Sequence, residues 1–201
     1  MKRAKILSSQ CSMATIDKLA SQIKSYYRKK NMRAVFQIGA HSKIIIISQA
    51  PGKKVDETGI PWNDASGKKL KEWLGVTDRE FYNPEIFSIM PMDFCYPGKG
   101  PKGDLPPRPE CAEKWHGKIL KNIEGTPMKL LIGKYAIDYY LGEKKKETIT
   151  ETVKHYKEYL PEFFPLIHPS PRNIGWQKKN PWFEKEAVKL LQKTISKLLE
   201  E

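Results

Sequence analysis

Ile44-Ile45-Ile46-Ile47 constrains this chain more than any other segment: four consecutive β-branched residues with no polar break. Such side chains favour extended backbone. A strand with no polar face must be covered on both sides, as in a parallel sheet flanked by helices. Phe87-Ser88-Ile89-Met90, Met128 to Ile132 and Phe163 to Ile167 read as further strands of the same kind. Helical spacing places Ile16, Leu19, Ile23 and Tyr26 or Tyr27 on one face of residues 13–31, a segment closed by the basic run from Arg28 to Arg33. Helices are also expected from Ser66 to Leu74, over Glu110–Ile123, up to Leu141 and from Lys144 to Tyr159. Pro181 at a first helical position opens a last amphipathic helix, with Val188, Leu191, Ile195 and Leu198 on one face. The alternation predicts an α/β fold, a three-layer αβα sandwich with a central, mostly parallel four-stranded sheet. A chain of 201 residues is expected to form it as a single domain, 1–201.

Three Pro/Gly-rich segments, 51–67, 96–109 and 168–181, each follow the C-terminal end of an expected strand. Ligand sites of open α/β sheets lie at that edge, so the unusual residues collect where a ligand would bind. The chain carries 36 Lys and Arg against 23 Asp and Glu, a net charge of +13. That balance points to a polyanionic partner, nucleic acid first, although a solvated lysine-rich surface has the same composition. No apolar run approaches the roughly 20 residues that span a bilayer, so no membrane partner is expected. The start, Met1-Lys2-Arg3-Ala4-Lys5 and then Ile6 to Gln10, is too short and polar for a secretory signal core. Three cysteines, Cys11, Cys95 and Cys111, are an odd number that argues against a disulfide framework. A reducing, cytoplasmic setting is the expectation.

Two segments carry candidate chemistry. Ser48-Gln49-Ala50-Pro51-Gly52 leaves the first strand, followed by Asp56, Thr58-Gly59-Ile60-Pro61-Trp62 and Ser66-Gly67-Lys68-Lys69-Leu70. Glycines let the backbone approach a ligand, free N–H groups at the start of the Ser66 helix can hold phosphate, and Trp62 offers a flat stacking face. An ordinary strand–loop–helix turn with a core tryptophan has the same pattern. His168-Pro169-Ser170-Pro171-Arg172-Asn173 follows the last strand. Prolines hold His168 in a rigid loop where it can donate to a developing anion, and Ser170 and Asn173 can contact phosphate. A solvated loop histidine is the plain alternative.

Together these segments resemble the uracil-DNA glycosylase superfamily. Its bacterial and archaeal iron–sulfur branch has a first motif G-E-x-P-G-x-x-E-D-x-x-G-x-P-F-x-x-x-(A/S)-G-x-x-L. Pro51, Gly52, Asp56, Gly59, Pro61, Trp62, Ser66, Gly67 and Leu70 match it without a gap. His168-Pro169-Ser170 matches the superfamily's H-P-S motif. Cys95 and Cys111 have the 16-residue separation of that branch's second cysteine pair. The resemblance covers roughly residues 40 to 185. It implies a DNA partner and a nucleotide flipped out of the stack before its base–sugar bond breaks. By resemblance, Trp62 and Ala50 bind the base and His168 stabilises charge on the departing base. Pro51, Gly52, Ser66 and Ser170 pin phosphates, with Arg172, Asn173, Lys53 and Arg108 on the DNA backbone.

The chain departs from the pattern in three places. Ser48 and Gln49 stand where relatives carry glycine and then an acid. A neutral amide cannot serve as a general base, which leaves Gln49 to position a water and makes Asp56 the candidate surrogate carboxylate. Asp56 is equally readable as a loop cap. The base-reading asparagine of the second motif falls on Pro91, so a backbone group near Met92 to Phe94, or another side chain, has to take its place. A cubane iron–sulfur cluster takes four thiolates, but Ser25, Tyr26 and Tyr27 occupy the region of the first cysteine pair and Cys11 has no near partner. No cofactor is expected, and Cys95 and Cys111 read as a remnant pair.

Lys53, Lys54, Lys99, Lys102, Arg108, Arg172, Lys178 and Lys179 belong to the strand-end loops, as phosphate contacts around a base pocket would. Lys144-Lys145-Lys146 reads as a solvated turn. Two functions stay open: a monomeric glycosylase acting on uracil or another deaminated base, or a DNA-binding relative without the chemistry. The G-x-S-x-G motif of α/β hydrolases and the P-loop and dinucleotide motifs are missing, and four His and three Cys show no zinc spacing.

Overall fold

The computed structural model describes residues 2–101 and 103–200, with side chains from residue 12 onward. Its central sheet, among the described residues, has four strands: β1 (Ile44–Ile47), β2 (Phe87–Ile89), β5 (Met128–Ile132) and β6 (Phe163–Leu166). They lie in the order β2-β1-β5-β6, and every pairing is parallel. All four isoleucines of β1 are fully buried, as a strand covered on both faces requires. Two short strands, β3 (Lys99–Gly100) and β4 (Gly103–Asp104), form a separate antiparallel ribbon inside the segment expected to be a loop. Lys102, at its tip in sequence, lies outside the described residues.

Helices complete the αβα sandwich: α1 (Lys2–Arg28), α2 (Lys53–Thr58), α3 (Ala65–Leu74), α4 (Asp78–Phe81), α5 (Pro109–Leu120), α6 (Lys134–Leu141), α7 (Ile149–Lys154), α8 (Ile174–Lys179) and α9 (Lys189–Glu200). Ile16, Leu19, Ile23 and Tyr27 form the core face of α1. Neighbouring Tyr26 meets Trp115 of α5 edge-on at 5.6 Å. On α3, Trp73 meets Phe183 at 4.9 Å. The C-terminal helix begins with a π-helical stretch, Phe183–Val188, just after Pro181, and buries Val188, Leu191 and Ile195 as its period predicts.

One expected helix is broken. Residues 144–159 split into a 3-10 turn at Gly142–Lys144, α7, and a second 3-10 turn at Tyr156–Tyr159. Thr148 accepts from the Glu151 amide and so starts a new helix there. Two loops also gain helices: α2 lies inside 51–67 and α8 inside 168–181. The strand order reverses at β1, and the carboxyl ends of strands at such a reversal are where open parallel sheets bind ligands.

Candidate active site

Beyond β1 the chain stays tied to the continuation of β2. The Met92 amide donates to the Ser48 carbonyl at 2.7 Å, and the Asp93 amide to the Gln49 carbonyl at 3.1 Å. This pairing carries Gln49, Ala50, Pro51 and Gly52 into one wall of a cavity of about 550 Å³. It also consumes the Met92 and Asp93 N–H groups that sequence reasoning had free to read a base. Pro91 lines the same cavity, but its carbonyl points elsewhere, accepting from His116 Nε2 at 3.0 Å.

Trp62 is 8% exposed and holds a left-handed backbone, φ 56°, a conformation a bulky residue adopts only when its surroundings enforce it. Gly67 is part of that enforcement. A Cβ there would sit 1.7 Å from the Trp62 carbonyl oxygen, so only glycine lets α3 start this close. Asp64 caps α3, its Oδ1 accepting from the Gly67 amide at 2.8 Å. The cap takes one of the helix-start N–H groups expected to hold phosphate, and places a negative charge beside the rest.

His168 follows β6. Its carbonyl accepts from Asn173 Nδ2 at 2.8 Å, which fixes the loop. Its ring stacks on Trp62 with centroids 5.5 Å apart and planes 29° apart. Burial lowers the His168 pKa; Asp64 opposes the shift and Arg172 reinforces it. The imidazole therefore favours its neutral form, in which one N–H remains to donate. Ser170 Oγ accepts from the Arg172 amide at 3.3 Å and caps the turn that presents Arg172.

The cavity gathers most of the residues singled out in the sequence: Gln49, Ala50, Pro51, Gly52, Trp62, Ser66, His168, Ser170, Arg172 and Asn173 all line it. Lys53 and Asp56 are on α2, outside the wall. The Lys53 ammonium pairs with Glu57 at 3.8 Å, and the Asp56 carbonyl accepts from Arg33 at 2.9 Å. Two carboxylates that the sequence reading passed over do line the cavity, Asp64 and Asp104. Asp64 just ahead of the helical period of Leu70, Trp73 and Leu74 is a cap signature, the one signal that could have drawn attention to it. Asp104 is exposed on β4 and accepts from the Tyr96 hydroxyl at 3.1 Å.

The Arg108 side chain is 28% exposed and pairs with a carboxylate. Its Nε and Nη2 donate to the two oxygens of Asp93 at 2.6 and 2.9 Å, a bidentate pair in which Asp93 is 0% exposed. Asp93 also accepts from the Cys95 amide and the Cys111 thiol. Burial pushes the thiol of Cys95 up to about 12 and that of Cys111 to about 11. Cys95 and Cys111 are two thiols against the four thiolates such a cluster takes, and the carboxylate between them is held by Arg108. Among the described residues no group of three or more His, Cys, Asp or Glu could hold a metal ion; the Cys11 side chain lies outside them.

Lys53, Lys54, Lys99, Arg172, Lys178 and Lys179 are exposed on the strand-end loops. Lys145 pairs with Asp138, and Lys146 with Glu158 at 2.6 Å, in keeping with a solvated turn. No helix among the described residues is long and apolar enough to cross a membrane.

The fold and the cavity define an α/β protein with a strand-end pocket built from a tryptophan platform, a buried histidine and a basic rim. A model of the uracil DNA glycosylase superfamily matches residues 36–192, over three-quarters of the chain. The chain belongs to that superfamily.

Proposed function

We infer that the protein is a base-excision DNA glycosylase that hydrolyses the N-glycosidic bond of a flipped uracil or another deaminated base. The observation that carries this reading is the Trp62–His168 pair in the wall of a cavity of about 550 Å³. The cavity has room for a single base, a ring to stack on it and an N–H donor for the charge that develops on it. A preorganised donor of this kind is worth about 3 kcal/mol of barrier, a hundredfold or more in rate. A base that stacks on Trp62 takes the ring face His168 now covers, so the imidazole moves to the base's edge, where its in-plane N–H can donate.

Beside the cavity, a second depression of about 570 Å³ shares Ser170 and Pro171 with it and is lined by Lys178 and Lys185, and by Lys69 paired with Glu184 at 3.2 Å. The backbone of the damaged strand runs over this rim and past Arg172, held by sequence-independent phosphate contacts. The protein acts as a monomer in the cytoplasm and needs no cofactor; iron analysis, and thermal unfolding unchanged by a chelator, check the last point. Gln49 and Pro91, in the places of an acid and an amide, favour the second reading, a DNA-binding relative without turnover.

The test is incubation with labelled oligonucleotides carrying one uracil, hypoxanthine or xanthine, in single strands and mismatched duplexes, followed by alkali. Strand breaks at one modified base, lost in His168→Ala, support the glycosylase. Salt-sensitive DNA binding with no abasic sites on any substrate selects the non-catalytic relative.

A further inference from the structure

We propose that Tyr26, Lys30, Lys114 and Lys118 form a phosphate-binding patch on the α1–α5 face, which grips the DNA backbone beyond the cavity; this rests on DNA binding, common to both readings above, and not on turnover. Half-buried Tyr26 stands near the end of α1. Two ammoniums converge on its ring, Lys114 at 3.5 Å and Lys30 at 4.5 Å from the centroid. Lys118, one turn further along α5, has its ammonium 5.1 Å from the ring of Trp115, which itself meets Tyr26 edge-on.

Like charges gathered in this way repel until an anion joins them. Elsewhere on the surface Lys53, Lys71, Lys129 and Lys146 each pair with a carboxylate. Among the described residues no carboxylate comes within ion-pair distance of Lys30, Lys114 or Lys118, and Glu110 acts on Lys30 only from beyond that range. Lys30 and then Lys114 lower the pKa of the Tyr26 hydroxyl, which strengthens it as a donor to an anion. The lysines cover the Tyr26 ring and Tyr27 and Trp115 flank it. The patch therefore offers charge and a hydroxyl, the complement of a phosphate, and no slot for an apolar side chain.

The patch belongs to the cavity's end of the sheet. Val35, five residues beyond Lys30, lines the cavity, and its amide donates to the Phe94 carbonyl at 2.7 Å. Arg33 ties the same turn to α2, donating to the Asp56 and Glu57 carbonyls at 2.9 and 3.0 Å. Arg108, the N-cap residue of α5, reaches Met32 Sδ at 2.9 Å. The depression with Lys178 and Lys185 lies among α3 and α8, and this patch among α1 and α5. A duplex with its flipped nucleotide in the cavity thus meets lysines on two separate parts of the surface. That continuity favours a nucleic-acid backbone over an acidic peptide as the occupant.

The test compares wild type with the triple variant Lys30→Gln, Lys114→Gln, Lys118→Gln. A control removes the same charge from exposed lysines of α9 (Lys189→Gln, Lys193→Gln, Lys197→Gln), a helix whose far end is tied at 2.7 Å to Lys43, at the amino end of β1. Affinity for a labelled duplex of about 30 base pairs carrying one uracil is followed against salt, with thermal midpoints alongside. The patch variant should bind about tenfold or more weakly at low salt and lose about three phosphate contacts from its slope, with an unchanged midpoint and a control that keeps the wild-type slope. A wild-type slope in the patch variant, or the same loss in the control, overturns the proposal and leaves DNA binding standing. So does a glutamate-rich peptide that wild type retains and the patch variant releases while duplex binding is unaltered, since the site would then serve an acidic protein. A wild type without salt-sensitive duplex binding overturns the DNA reading itself, and this patch with it.

Discussion

Trp62 and His168 come from the loops after the first and last strands of the central sheet, yet their rings stack with centroids 5.5 Å apart. The stack keeps water from the imidazole, and burial is the largest cause of its lowered pKa. Trp62→Ala is therefore expected to raise the His168 pKa toward the ordinary value near 6.5. Histidine NMR titration of the two proteins measures it; identical curves would mean the tryptophan is not what dries the ring.

His116 is a second buried histidine, with a different task. Its Nε2 donates to the Pro91 carbonyl, so its Nδ1 accepts from the Tyr140 hydroxyl at 2.8 Å. Burial lowers its pKa to about 4. An unfolded histidine takes up its proton near 6.5, so between 6.5 and about 4 the unfolded chain binds more protons. The stability contributed by neutral His116 is complete above that window and is lost as pH falls through it, by up to about 3 kcal/mol. His168 acts in the same direction. Urea midpoints at pH 7 and pH 4.5 should differ by less in His116→Gln than in wild type, and an equal difference would remove His116 as the cause.

Arg108, itself 28% exposed, forms a bidentate pair with the fully buried Asp93. Removing the arginine leaves a buried carboxylate without its cation, which costs about 3–5 kcal/mol. Arg108→Ala is expected to lose that much in denaturant unfolding, and to leave the salt dependence of DNA affinity at the wild-type slope. Lys178→Glu combined with Lys185→Glu should do the reverse, keeping stability and flattening the slope by about two phosphate contacts. A flatter slope in Arg108→Ala with full stability would return Arg108 to the DNA surface.

Gly67→Ala brings a Cβ to 1.7 Å from the Trp62 carbonyl oxygen. Backbone cannot yield as a flexible side chain does, so a loss of about 2–4 kcal/mol is expected. An unchanged denaturation midpoint would show that α3 can begin elsewhere.

The amino-acid sequence by itself determined the sheet and the neighbourhood of the site. A strand buried on both faces must be apolar at every position, so β1 is visible as four isoleucines without any partner in view. The His168 and Trp62 loops were readable for a related reason: proline and glycine write backbone shape directly into the chain. Tertiary structure decided what these local signals do not carry. Asp56 and Asp64 are eight residues apart in one loop; α2 carries the first outside the wall, while the second, at the α3 cap, lines it. Arg108 reads as one more loop cation until Asp93, fifteen residues away, is brought beside it in the core. The Met92 and Asp93 amides look available until β2 runs on beside Ser48 and Gln49. In each case the deciding partner is distant along the chain, and a charge or an N–H group has no fixed role until the fold brings that partner within reach.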